Sequence, residues 1–290
     1  MSPEKRFSAL CCALTLPLFV IRVAEALWRI DPATGYYTDG YRWYHAVLPT
    51  LAIAAAVYLW ISLKREKPDA QMSCGTIGTA VIAVAGLLVA LSSVAQLIQN
   101  FSGHRLAHFF MSRKQLSALG IAQGGFKLSV FCSLVGLCAA AWLLLAAVRT
   151  LKADGTLGKN FALSLSLPIW CALRAVVCFA SGPINANDSI KIASVASCMI
   201  LANSWLSLMR FIFLERNGAV ARRACALSLL GMLFAVGFAA PGIICLLKTG
   251  EGSEALLLAA DAALAFAGAA LAHSIFKSCK EVKHEQSQGS

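Results

Sequence analysis

Eight long apolar runs, separated by short polar segments, dominate this chain. They cover about 8–29, 44–63, 76–98, 127–148, 161–181, 190–214, 224–247 and 254–275. A bilayer core takes about 20 apolar residues of helix per crossing, and each run is of that order. The pattern predicts an all-α polytopic membrane protein with eight transmembrane helices. The first run exceeds an ordinary signal core, holds Arg22 and Glu25 and lacks a clear small-residue cleavage site, so it is expected to remain as a span.

Composition agrees. Hydrophobic residues make up 59% of the 290 and charged residues 13%, with a mean hydropathy of +0.71. A soluble domain carries about 25% charge, so a water-soluble fold, a disordered chain and a disulfide scaffold are all excluded. The formal charge of +11 would suggest nucleic acid if it formed one patch. Here the basic residues fall in short clusters between the runs. They read as topology signals and as partners for anionic lipid headgroups, with no nucleic-acid partner.

These clusters set the expected orientation. With a cytoplasmic N-terminus, the inside segments carry clusters such as Lys64-Arg65-Glu-Lys67 and Arg222-Arg223, fourteen basic residues against eight outside. That bias predicts a multi-pass protein of the cell membrane with both termini cytoplasmic. The longest outside loop, 99–126, holds Leu106, Phe109, Phe110, Leu116 and Leu119 at roughly helical spacing among basic residues. This spacing predicts an interfacial amphipathic helix. His104 and His108 lie four apart in it and could share a metal, but no Cys, Asp or Glu stands near, so no metal site is expected. Most of the eleven cysteines lie inside apolar runs without CxxC spacing, and they read as small buried hydrophobes.

Two pairs of runs resemble each other. Leu14-Thr-Leu-Pro17 with Arg22 parallels Leu165-Ser-Leu-Pro168 with Arg174, and Trp60-Ile-Ser-Leu-Lys-Arg65 parallels Trp205-Leu-Ser-Leu-Met-Arg210. One reading is a tandem repeat of two four-helix halves. Residues 1–152 would form the first, with outside loops 30–43 and 99–126, and residues 153–290 the second, with a cytoplasmic tail. The other is coincidence between Leu- and Ser-rich segments. The stretches Leu167-Pro168-Ile-Trp170-Cys-Ala-Leu173-Arg174 and Ile30-Asp31-Pro32-Ala-Thr-Gly35 resemble uncharacterised multi-pass membrane proteins of Gram-positive anaerobic bacteria. That resemblance covers two short stretches and implies a bacterial membrane setting, with no activity to carry over.

Arg22, Glu25, Arg174 and Asp261 lie deep in the spans, with Arg210 nearer a helix end. Such residues cost about 2.5–3.5 kcal/mol each on insertion scales and usually face the bundle or a water-filled cavity. Arg22, Arg174 and Asp261 each fall about 10 Å inside the outer end of their run at 1.5 Å per residue. Glu25 stands one turn further out on the face of Arg22. The expectation is one layer of charge in the outer half of the membrane. It could form a polar cavity, open outward, whose arginines hold an anionic group; Arg22, Glu25, Arg174, Asp261 and the mid-span Asn203 would then bind the solute. Alternatively, Arg22–Glu25 and Arg174–Asp261 are ion pairs that fix helix packing. Asn203 and Ser204 would bond across helices in that case. Pro241 in Ala239-Ala-Pro-Gly242 should kink or break the seventh run.

The first outside loop is rich in aromatic residues, with Tyr36, Tyr37, Tyr41, Trp43 and Tyr44 close together. They read as an aromatic belt at the headgroup level, or as a lid over the charged layer. No HExxH, GxSxG or GxxxxGK[ST] motif occurs, and no motif calls for a cofactor, so no enzyme is expected. Two functions remain: a transporter-like protein that moves or binds a small, anionic solute, or a non-transporting accessory, sensor or scaffold subunit.

Overall fold

The computed structural model describes residues 3–32, 34–39, 44–64, 66, 75–101, 126–151, 160–180 and 188–275. The described residues are helical apart from short turns and two isolated antiparallel bridges. The helices are α1 (Pro3–Trp28), α2 (Tyr44–Ser62), α3 (Thr76–Phe101) and α4 (Phe126–Leu151). A short α5 (Phe161–Ser164) leads into α6 (Ser166–Ala180), and α7 (Ser189–Phe213) follows. The seventh crossing comprises α8 (Gly218–Met232), a π-helical segment (Leu233–Ala239), a 3₁₀ turn (Ala240–Gly242) and α9 (Ile243–Lys248). α10 (Gly252–Ser274) completes the described chain.

Seven of these helical stretches are long and apolar enough to cross a membrane, which fits a helical membrane protein. The second run forms a shorter apolar helix. The nineteen residues of α2 reach about 28 Å, just under a core of about 30 Å, so among the described residues the eight-span expectation becomes seven long apolar helices and one shorter one. Two other boundaries also differ. The seventh helix begins at Gly218, where the Asn217 side chain accepts from Val220 N at 2.9 Å. This N-cap draws Arg222 and Arg223, read from sequence as loop, into the helix. The fifth run breaks at Leu165 between α5 and α6.

Contacts between chain-distant residues define the two ends of the bundle. Near the N-terminus, Arg6 bonds the Ser62 carbonyl and Glu66, Arg222 bonds the Lys64 carbonyl, and Ser8 bonds His273. We call this the proximal end. At the distal end Arg22 meets Ser189, and Ser253 meets Gln99. Pro241 falls where the seventh helix changes from π to 3₁₀ geometry, as its missing N–H requires. Gly237 in the π segment lets α1 approach closely, since a Cβ there would stand 3.1 Å from Leu18 Cβ.

The core is built on small residues and three buried tryptophans, Trp142, Trp170 and Trp205. Trp142 and Trp205 meet edge to face, with centroids 6.4 Å apart. α3 and α4 also carry polar contacts that hydropathy does not reveal. Asn100 Nδ2 donates to Ser129 Oγ at 2.9 Å, and Ser133 Oγ donates to Gln96 Oε1 at 3.4 Å. Helices from the earlier and later parts of the chain interleave: α4 packs on α6 and α3 on α10. A four-plus-four axis would make α4 pack on the seventh crossing as α10 packs on α3. Among the described residues no comparable contact forms.

Candidate functional site

Three helices bring one polar side chain each to a common point: Arg174 on α6, Cys198 on α7 and Asp261 on α10. Arg174 Nη1 donates to Asp261 Oδ1 and, at 3.3 Å, to the Leu257 carbonyl. Cys198 Sγ donates to the other carboxylate oxygen at 3.7 Å. The Trp170 ring, one turn from Arg174, has its centroid 5.3 Å from the guanidinium carbon, a cation–π contact. The Arg174 and Asp261 side chains are only 6% and 1% exposed. Each charge is therefore compensated in place, as the ion-pair reading expects.

A cleft of about 320 Å³ lies on the distal side of this cluster, with none of the three residues in its lining. Cys178, Asp188, Lys191, Ser194, Glu251 and Glu254 supply much of its polar lining. Cys178 lies one turn from Arg174 on α6, Ser194 one turn from Cys198 on α7, and Leu258 one turn from Asp261 on α10. On all three helices the cleft floor is thus a single turn above the ion pair. Asp188 caps α7 by accepting from Lys191 N at 3.0 Å. Partial burial raises its carboxyl pKa above the ordinary value, against the lowering effect of the Lys191 amide and ammonium. Sequence reading missed this cleft, although Glu254 and Asp261 stand seven apart on α10, a spacing that puts them on one helical face.

Arg22 and Glu25 pair within α1, but in a different place. Arg22 Nη1 also donates to Tyr37 Oη at 2.6 Å, and Nη2 donates to Ser189 Oγ at 2.6 Å; Ser189 in turn donates to Tyr37 at 3.1 Å. The single charged layer expected from sequence is therefore two levels. The Arg22 head reaches Ser189, the first residue of α7, whereas Asp261 meets Cys198 nine residues along the same helix, about 13 Å deeper. The two arginines differ in direction: the Arg22 head turns to the start of α7 at Ser189, whereas the Arg174 head turns to Leu257 and Asp261 on α10.

Tyr37 reaches Arg22 because the loop folds back. Gly35 N donates to the Asp31 carbonyl, Asp31 N donates to Tyr36 O, and Thr34 Oγ1 bonds Asp31. Gly35 at φ +73° supplies the left-handed corner. Bridges from Ile30 to Tyr37 and from Tyr36 to Asp188 fasten the turn to α1 and α7. Tyr37 is buried, and that burial raises its pKa, so the phenol stays protonated. The belt reading fails for this residue: Tyr37 covers the Arg22 site. Tyr36 is half-buried beside it, Tyr44 begins α2, and Tyr41 and Trp43 lie outside the described residues.

Asn203 does not join either charged pair. Its amide donates to the Met199 carbonyl of its own helix at 2.9 Å, so the expected cross-helix bond is absent from it. Ser204 makes that bond instead, to Ser228 on α8 at 3.1 Å. Arg210 pairs with exposed Glu215 at the proximal end. The segment 102–125, with His104 and His108, lies outside the described residues, as do Cys74 and Cys279. Comparison of the chain with known protein families, with characterised proteins and with solved structures finds no match.

Proposed function

We propose that this membrane protein binds a small polar solute in the distal cleft and carries it across the bilayer. The observation behind this reading is a cleft open at one end of the bundle whose floor stands one turn from a buried ion pair on three separate helices. The cleft chemistry changes the expected cargo. Asp188, Glu251 and Glu254 outnumber Lys191 among its charged residues, so an amine-bearing or zwitterionic solute suits it better than an anion.

The test uses purified protein in nanodiscs and a panel of amines, amino acids and carboxylates, read by thermal shift and then by counterflow in proteoliposomes. An amine-bearing solute should raise the melting temperature and exchange across the bilayer, and Glu254→Gln should weaken both effects. A second reading rests on Arg22 and Arg174 both having acceptors already: the polar residues fix packing in a non-transporting accessory or scaffold subunit. Silence across the panel from a folded protein favours that reading and rejects the carrier.

A further inference from the structure

Residues 34–38 form a strap that touches both polar sites of the distal end. On one side, Thr34 and Gly35 belong to the lining of the cleft. A Cβ on Gly35 would stand 3.5 Å from Asp188 Oδ1 and 3.7 Å from Ile190 Cδ1, so the strap lies directly on the start of α7. On the other side, the buried Tyr37 hydroxyl accepts from Arg22 and from Ser189. Adjacent residues thus serve different sites. Asp188 lines the cleft while Ser189 bonds Tyr37, and the bridge from Tyr36 to Asp188 joins the two.

The strap differs from the other walls of the cleft. Apart from Pro32 and the strap, every lining residue lies on α6, α7, α9 or α10 or caps one of them. The apolar anchor of the strap is separate too. Tyr37 packs with Ala26, Ile30 and Cys245 in a small cluster apart from the main core. Lifting the strap uncovers that cluster and leaves the helix core intact, as a locally opening unit requires. Its fastening is polar and lies at the distal edge, where water replaces the bonds once the strap lifts. Bonds exchanged for bonds to water have a small net value, so opening is not prohibitive. Closed, the two donors converging on one hydroxyl define a single position, because hydrogen bonds are directional. Glu25 balances the Arg22 charge, so the fastening needs no further ion.

We propose that strap 34–38 is a movable wall of the distal cleft, latched by the Tyr37 hydroxyl on Arg22 and Ser189. The inference rests on the cleft being the solute site: lifting the strap widens the way in, and relatching encloses the solute. It gives the Arg22 cluster a task other than solute contact.

The experiment uses full-length protein in nanodiscs, where both faces meet water, with two measurements on each sample. Hydrogen exchange read by mass spectrometry follows the Asp31 and Thr38 amides, which donate to the Tyr36 and Arg29 carbonyls and are released when the strap lifts. In parallel, a charged, water-soluble methanethiosulfonate modifies half-buried Cys178 on the cleft wall, and peptide mass spectrometry gives the rate at that residue. Tyr37→Phe keeps the packed ring and deletes the latch acceptor. It should raise both rates by the same factor, about tenfold, the order expected for one bond to a charged donor. Exchange at the start of α8, at the opposite end, should stay unchanged. Faster strap exchange with an unchanged Cys178 rate overturns the movable wall, and unchanged strap exchange overturns the latch. Neither measurement needs a solute, so failure here is distinct from a silent solute panel, which rejects the carrier instead.

Discussion

Arg22 and Arg174 are both buried arginines with a carboxylate partner, yet their different surroundings predict different responses to substitution. Asp261→Leu leaves Arg174 charged among apolar helices and should destabilise the protein by about 3–5 kcal/mol. Combining it with Arg174→Leu removes both charges and should recover most of that loss, measured by thermal unfolding in detergent. If the double variant is less stable than the single, the pair contributes more than mutual compensation. Arg22 has the Tyr37 hydroxyl as one of several acceptors. Tyr37→Phe deletes it beside a charged donor and should cost about 1–3 kcal/mol. An unchanged melting temperature would show that water replaces the phenol.

At the scale of elements, close approach of helices sets the limits. Gly136 on α4 faces Ser93 on α3 and Trp170 on α6, and a Cβ there would fall 2.2 Å from Ser93 Oγ and 2.5 Å from Trp170 Nε1. Gly136→Ala must push α3, α4 and α6 apart and should destabilise by about 1–3 kcal/mol, seen as a lower unfolding midpoint. The start of α7 gives a pH-dependent counterpart. Because burial raises the Asp188 pKa above 3.8, the folded state holds that proton more tightly than the unfolded chain. Its contribution to stability is present at low pH and lost as pH rises through the raised value. Asp188→Asn keeps a capping side chain and should flatten the stability profile from pH 3.8 upward. A profile identical to that of the unsubstituted protein would remove Asp188 as the titrating group.

For the whole molecule, the prediction is orientation. The proximal end gathers Lys64, Arg216, Arg222 and Arg223, and the positive-inside bias assigns such an end to the cytoplasm. Single cysteines at 64–69 and 216–223, in a background without other cysteines, should resist impermeant thiol reagents in intact cells. Cysteines at 104–114 should react. External labelling of 216–223 would reverse the assignment.

Apolar run length determined the membrane class and the approximate helix ends, and proline's backbone chemistry determined the break at Pro241, because each acts within one segment. The pairing of Arg174 with Asp261 was also legible, since two opposite charges stranded in hydrocarbon have few other partners. Two features were not legible. The reach of Arg22 to Ser189, 167 residues away, depends on which helices become neighbours. The burial of Tyr37 depends on a turn closed by hydrogen bonds and pinned to α7. Each is a relation between distant segments, set by which helices become neighbours, so only the tertiary packing decides it.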